Sequence, residues 1–166
     1  MTKIVEFYFD VGSPTAYLAY NRLKQLQKQY NCVIDYRPVL LGGLFKASGN
    51  SSPVMVPAKG RYMMMDDLPR FAKLYDVPLN NNPHFPINTL NLMRGAVAAL
   101  HGDYFDTYIS AVFNAIWVDS KNMGDMETVI EVLSTAGLNA PSILESTQDA
   151  DIKAKLITNT EDAVKR

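Results

Sequence analysis

Residues 3–41 read KIVEFYFDVGSPTAYLAYNRLKQLQKQYNCVIDYRPVLL, and this stretch decides the fold. Ile4 and Val5 open an apolar run carrying Phe7, Tyr8 and Phe9, β-branched and aromatic and interrupted only by Glu6. That composition predicts a short buried strand over Lys3–Asp10. Gly12 breaks it, and Ser13-Pro14 follows: a residue that caps helices, then the residue favoured at the first helical position. Tyr17, Leu18, Leu23, Leu26 and Tyr30 then recur at helical spacing, with Arg22, Lys24, Gln25, Lys28 and Gln29 on other faces. Asn31 is placed to end this helix in a left-handed conformation. Val33–Leu41 is a second strand, in which Pro38 lacks an amide hydrogen and so belongs at an edge or a bend. Strand, helix and strand make a βαβ unit, which predicts parallel strands joined by a right-handed crossover.

Downstream of Gly42-Gly43 almost nothing reads as a strand. Leu44–Pro57 contains two prolines and the run SGNSSP, which is expected to be a polar loop. Lys59–Tyr75 has helical periodicity, with Pro69 placed to start a second helix. Residues 76–88, DVPLNNNPHFPIN, hold three prolines and four asparagines and predict an extended, turn-rich loop. Helices are expected over Thr89–His101, Tyr104–Lys121, Asp125–Ala136 and Gln148–Arg166, with Gly102 and Gly137 marking ends. The organisation is therefore α/β: a βαβ part over residues 1–43 and a helical block over 44–166.

Composition bounds the function. The 166 residues are 48% hydrophobic and 20% charged, as expected of a packed domain rather than a disordered chain. Sixteen basic against 17 acidic side chains give a net charge of -1, without the concentrated basic field that nucleic acid or an anionic membrane demands. No apolar run approaches the roughly 18 residues of a spanning helix. The first residues carry Glu6 and Asp10 within the apolar stretch and no small-residue cleavage site, so no signal peptide is expected and the location expected is cytoplasmic. Cys32 is the one cysteine, which excludes an internal disulfide and any CxxC motif; a buried structural thiol is expected there.

The sharpest chemical feature is the loop Asp10-Val11-Gly12-Ser13-Pro14 between strand and helix. Such a loop presents unpaired amides and the positive end of the helix dipole, which stabilise an anion such as a thiolate. Ser13 adds a hydroxyl able to donate to that anion. Ser-Pro is equally an ordinary helix start, and both readings stand at this point. No phosphate-loop glycine pattern, no GxSxG and no metal-ligand spacing of His84, His101 and Cys32 accompanies it. Asn50 offers donor and acceptor to a peptide-like ligand, or is a plain turn residue. Lys46 and Lys59 are able to meet a carboxylate, or are simply solvated. Met63–Met65, Phe85, Trp117 and Tyr17 line an apolar cleft or belong to the core.

Four motifs in order, FYFDVGSPTAYLAYNRL, DYRPVLLGGLFKASGNSSP, VPAKGRYMMMDDLPRFAKLYDVP and HFPINTLNLMRGAVAA, resemble the 2-hydroxychromene-2-carboxylate isomerases. These stand with the kappa-class glutathione transferases in the DsbA-like group. The resemblance implies a thioredoxin-like βαβ unit carrying a large all-helical insertion. It implies glutathione as cofactor, a small-molecule substrate, no nucleic-acid or membrane partner, and a homodimer. Ser13 matches the catalytic serine, standing where thioredoxin-like oxidoreductases carry a cysteine. Ser13, Pro14, Thr15 and Asn50 match glutathione-contacting positions, and Lys46 and Phe85 lie at or beside substrate positions. The implied reaction is reversible addition of the glutathione thiolate to a conjugated carbon, rotation about the resulting single bond, and expulsion of glutathione. That is a cis/trans or ring-opening isomerisation of an aromatic-degradation intermediate, 2-hydroxychromene-2-carboxylate to trans-o-hydroxybenzylidenepyruvate in type. A kappa-class transferase or peroxidase, or a truncated non-catalytic glutathione-binding module, are the alternatives.

The family pattern continues past the position of Arg166 with a G-x-F-G-x-P-T segment, two strands and a helix. The expectation is thus that the C-terminal ββα of the thioredoxin domain is absent from this chain, and a two-stranded parallel sheet is a poor sheet by itself.

Overall fold

A computed structural model describes residues 2–166. Strand β1 (Ile4–Phe9) and strand β2 (Val33–Pro38) pair in parallel, in register from Ile4 opposite Val33 to Phe9 opposite Pro38. Helix α1 (Pro14–Tyr30) makes the crossover between them. Ser13 caps it, and Asn31 ends it at φ 48 and ψ 51, the left-handed conformation its residue type tolerates. Pro38 closes the ladder where its missing amide costs nothing, and the next amide, Val39 N, resumes by donating to the Phe9 carbonyl at 3.0 Å. Among the described residues these are the two strands, so each lies at an edge.

The segment after β2 departs from expectation. Leu41–Ser48 is a helix, α2, where the sequence announced no helix, and the polar loop begins only at its end. Gly42 and Gly43 fall in its first turn rather than ahead of it, and Gly49, at φ 66, ends it. Gly43 faces Thr160, whose methyl would lie 3.5 Å from a β-carbon placed there. A 3-10 turn at Pro53–Met55 then leads into α3 (Pro57–Tyr62) and α4 (Leu68–Tyr75). Between them Met63–Asp67 is wound as a π turn. Pro69 has no amide to give the preceding turn and its ring crowds the carbonyl four residues back, so the helix widens there instead of breaking.

The helical block continues with α5 (Leu90–His101), α6 (Phe105–Trp117), α7 (Met126–Thr135), α8 (Ala140–Ser146) and α9 (Ala150–Lys165). Helix α6 stops at Trp117, short of the predicted Lys121, where the Asp119 amide reaches back five residues to the Asn114 carbonyl and the Lys121 amide back six to Ala115. Helix α8 was not expected; Asn139 caps it through Ser142 N, and Pro141 sits in its first turn. In α5 a side chain at Gly95 would run into the Tyr108 hydroxyl, which donates to the Leu92 carbonyl at 2.8 Å. Glycine there lets α6 approach closely enough to bury Tyr108.

One apolar core runs from Phe9, Val11 and Tyr17 of the βαβ part through Met93, Phe113 and Trp117 of the helical block. The last helix is fastened across the sheet. Asn159 donates its amide to the Pro38 carbonyl at 3.0 Å, Leu40 N donates to Thr160 Oγ1 at 3.0 Å, and Tyr8 donates its hydroxyl to Asp162. Arg166 pairs with Glu6 at 2.6 Å beside the Arg37–Asp35 pair. Cys32, between α1 and β2, is half-buried rather than buried. No described helix is long and apolar enough to cross a membrane.

Candidate functional site

The carboxyl end of β1 delivers the chain into the turn 10–13. Asp10 is buried at 3% exposure, and its side chain accepts the Gly12 amide at 2.9 Å, an Asx turn that reverses the chain ahead of α1. The Ser13 amide donates to the Asp10 carbonyl at 3.0 Å, which aims the Ser13 side chain at the helix start. There Ser13 Oγ accepts the Ala16 amide at 3.1 Å. Capping engages an oxygen lone pair and leaves the hydroxyl proton to donate elsewhere. The two readings of Ser-Pro are therefore compatible in one geometry: the cap orients the hydroxyl, and its proton stays available.

Ser13 opens onto a cavity of about 430 Å³, within the range of small-molecule sites. Gly12, Ser13, Pro14 and Thr15 form one wall. Leu41, Gly42 and Phe45 of α2, with Ser52 and Pro53, form a second. Phe85, Pro86, Ile87 and Thr89 form the third, and Met63 of the π turn completes the lining. The Phe85–Pro86 bond is cis. Phe85 in turn rests on Trp117, with ring centroids 5.4 Å apart. The walls are mostly apolar, and Asp10 is the one ionisable residue among those lining the cavity. Burial pushes the Asp10 carboxyl up, against the opposing pull of the Leu41 and Gly12 amides and the Thr89 hydroxyl. An anion at Ser13 would thus be met by hydrogen-bond donors and by the dipole of a 17-residue helix, not by a lysine or arginine.

Ser13, Pro14, Thr15 and Phe85 are brought together on this cavity. Lys46 and Asn50 are not in its lining. Lys46 is exposed on α2, and Asn50 follows the left-handed Gly49, with its amide donating to the Phe45 carbonyl at 3.0 Å. Of the apolar cleft expected from Met63–Met65, Phe85, Trp117 and Tyr17, Met63 and Phe85 line the cavity. Trp117 and Tyr17 are core, at 0% and 1% exposure. Phe45 and Thr89 line the cavity unannounced, and Asp10, placed in the Ser13 loop by the sequence, had no role assigned to its carboxyl. Only Asp10 carried a local signal, an Asp two residues ahead of a Gly at a strand end.

A family model for the DSBA-like thioredoxin domain matches residues 4–166. The chain belongs to that family. Within it, the chain is 33% identical over 169 residues to glutathione S-transferase kappa 1 of Caenorhabditis elegans, covering 96% of this chain and 74% of the relative. It is also 33% identical over 151 residues to 2-hydroxychromene-2-carboxylate isomerase of Sphingobium xenophagum, covering 87% of this chain and 74% of that protein. Among solved structures, a 2-hydroxychromene-2-carboxylate isomerase superposes with a TM-score of 0.84 at 27% identity, over 98% of this chain and 79% of the other. This DSBA-like protein thus carries the βαβ core with a large helical extension, and has serine at the head of α1.

Proposed function

We propose that this DSBA-like protein is a glutathione-dependent isomerase acting on a conjugated intermediate of aromatic degradation, of the 2-hydroxychromene-2-carboxylate type. The carrying observation is Ser13: its oxygen is fixed by the Ala16 amide at 3.1 Å while its proton is left for a ligand in the cavity. The residues present fit glutathione in kind. A thiol has a pKa of about 8.5 and is mostly protonated at neutral pH, so a site for it must favour the charged form. Ser13 O–H, the Thr15 amide, which has no acceptor within α1, and the helix dipole supply that without a metal or a cation.

Ser13, Pro14 and Thr15 would hold the thiol end, and Asn50 would serve a more distant part of the peptide from the end of α2. Phe85, Phe45 and Met63 would hold a flat apolar substrate and keep water from it. Lys46, on the exposed face of α2, would meet a carboxylate at the rim. When bound, glutathione supplies a nucleophilic sulfur whose reversible addition to a conjugated carbon allows bond rotation and leaves the cofactor unconsumed. Ser13 remains a hydrogen-bond donor throughout and is not itself the nucleophile.

Kappa-class transfer or peroxidase chemistry is the second reading, supported by the equal 33% identity to a relative of each name. The same residues would serve it; only the fate of the sulfur differs. Isothermal calorimetry with glutathione, followed by parallel assays of isomerisation and conjugation, separates these readings. Binding that survives Ser13→Ala, with turnover falling far more than affinity, is the expected result. Unchanged turnover in Ser13→Ala would sink the role given to Ser13, and no binding at millimolar glutathione would favour a non-catalytic module.

A further inference from the structure

The chemistry above makes no use of Asp10, although it is the ionisable side chain lining the cavity and is nearly inaccessible to solvent. Its two carboxylate oxygens take three donors from three different parts of the chain. Oδ1 accepts the Gly12 amide at 2.9 Å. Oδ2 accepts the Leu41 amide at 2.8 Å and the Thr89 hydroxyl at 3.0 Å. Gly12 belongs to the Ser13 turn, Leu41 is the first residue of α2, and Thr89 is the residue from which α5 starts. Each donor lies in a different wall of the cavity.

The two helix starts show how far the local structure is given over to this carboxylate. Helix α2 begins from Leu40, whose side chain can accept no hydrogen bond, and Asp10 caps it from another element. Thr89 stands at the cap position of α5 yet makes no capping bond there; its proton goes to Asp10. The contact is tight as well as polar, since a β-carbon on Gly12 would lie 2.8 Å from the Thr89 methyl and 3.4 Å from Asp10 Oδ1. None of the ion pairs among the described residues includes Asp10. A buried carboxylate without a cation is costly, so its hydrogen bonds must offset the burial. Asparagine would not replace it: an amide has one acceptor oxygen, and its NH2 would face another donor.

We propose that Asp10 is the positioning residue of this site, the knot that fixes the Ser13 turn, the start of α2 and the start of α5 at the spacing the cavity requires. It acts on a ligand through Gly12, Ser13 and the walls rather than by touching the reacting atoms. The identity of the ligand rests on the reading in the preceding subsection; the role of the carboxylate does not.

Two measurements test this separately. Amide hydrogen exchange on the ligand-free protein compares wild type with Asp10→Asn, Thr89→Val and Thr89→Ser. Loss of a hydrogen bond to a charged group should speed exchange at Gly12, Ser13 and Leu41 by about tenfold or more in Asp10→Asn and Thr89→Val. The Ile109 amide in α6 should keep its rate, and Thr89→Ser, which retains the hydroxyl, should restore the three slow amides. If Asp10→Asn also speeds Ile109, its global unfolding removes it from the comparison and the Thr89 pair decides. Calorimetry with glutathione on the same variants should show affinity falling about tenfold in Thr89→Val and recovering in Thr89→Ser. Unchanged exchange at Gly12 and Leu41 in Thr89→Val, or failure of Thr89→Ser to restore it, overturns the proposal. A wild-type protein that does not bind glutathione overturns the ligand reading instead, and the exchange rates still judge Asp10.

Discussion

Trp117 donates its indole N–H to the carbonyl oxygen of Val11 at 2.8 Å, both residues being fully buried. The bond joins the end of α6 to the turn that carries Ser13, and the same indole backs Phe85 in the opposite wall of the cavity. Replacing Trp117 by Phe keeps an aromatic ring but leaves the Val11 carbonyl without its donor. A loss of about 1–3 kcal/mol is expected from the unsatisfied buried acceptor, before any cavity term. Urea denaturation measures it, and a change below a few tenths would show that water or a shifted donor takes over.

Ser13 has a structural duty that is separable from its proposed chemical one. Ser13→Ala removes the acceptor for Ala16 N and should cost about 1 kcal/mol through the lost cap. Ser13→Asp caps as well but places a negative charge where the proposed thiolate would sit. Its thermal stability should match wild type while its affinity for glutathione collapses, a split that differential scanning calorimetry and titration read independently.

Gly12→Ala tests the closeness of the turn to α5. The added methyl meets the Thr89 methyl at 2.8 Å, and Thr89 cannot swing away without releasing Asp10. Overpacking of this kind costs about 1–3 kcal/mol. Adding Thr89→Ser, which removes the opposing methyl and keeps the hydroxyl, should return most of it. Strict additivity of the two changes in a double-mutant cycle would refute the steric account.

The pair formed by Tyr8 and Asp162 sets a pH window. The hydrogen bond from Tyr8 holds the Asp162 carboxyl below its ordinary value, and the same bond, with burial, raises the Tyr8 hydroxyl. A lowered acid contributes stability that is present above its unfolded value and lost as pH falls through its folded one. For the raised Tyr8 the contribution is present below the ordinary phenol range and lost as pH climbs through the folded value. Stability from this contact should therefore hold across neutral pH and decline at both extremes. Tyr8→Phe should lower the plateau relative to wild type and converge with it at high pH, as followed by denaturation at a series of pH values.

The βαβ unit was legible because its signals are local. The β-branched and aromatic run of β1, the Ser13-Pro14 start and the Asn31 stop each act within a few residues of where they stand. Helix α2 was not legible for the opposite reason. Gly42-Gly43 reads as a break, and the group that caps Leu41 N comes from Asp10, 31 residues earlier. The same distinction divides the site. Ser13 shares the cavity with Pro14, Thr15 and Phe85; the strand-to-helix turn announces Ser13, whereas the places of Pro14, Thr15 and Phe85 in a site came from the family resemblance. Thr89 gave no sign, because a threonine before a helix looks like a cap until its hydroxyl is seen to point elsewhere. Helix α8 was hidden by Pro141, which marks a first turn as readily as a stop.

The three walls of the cavity also bear on when the site comes into being. A nascent chain that has made β1, α1 and β2 already holds a capped Ser13, but it has no third wall until Thr89 reaches Asp10 across 79 residues. Closing so long a loop belongs to the late, slow part of folding. Selective recognition would therefore arrive last, with docking of α5 and α6, and a partly folded chain would display only a bare helix start. Any molecule that fills the cavity would bind the finished fold alone and draw the population toward it, acting on this protein as a thermodynamic latch as well as a reactant.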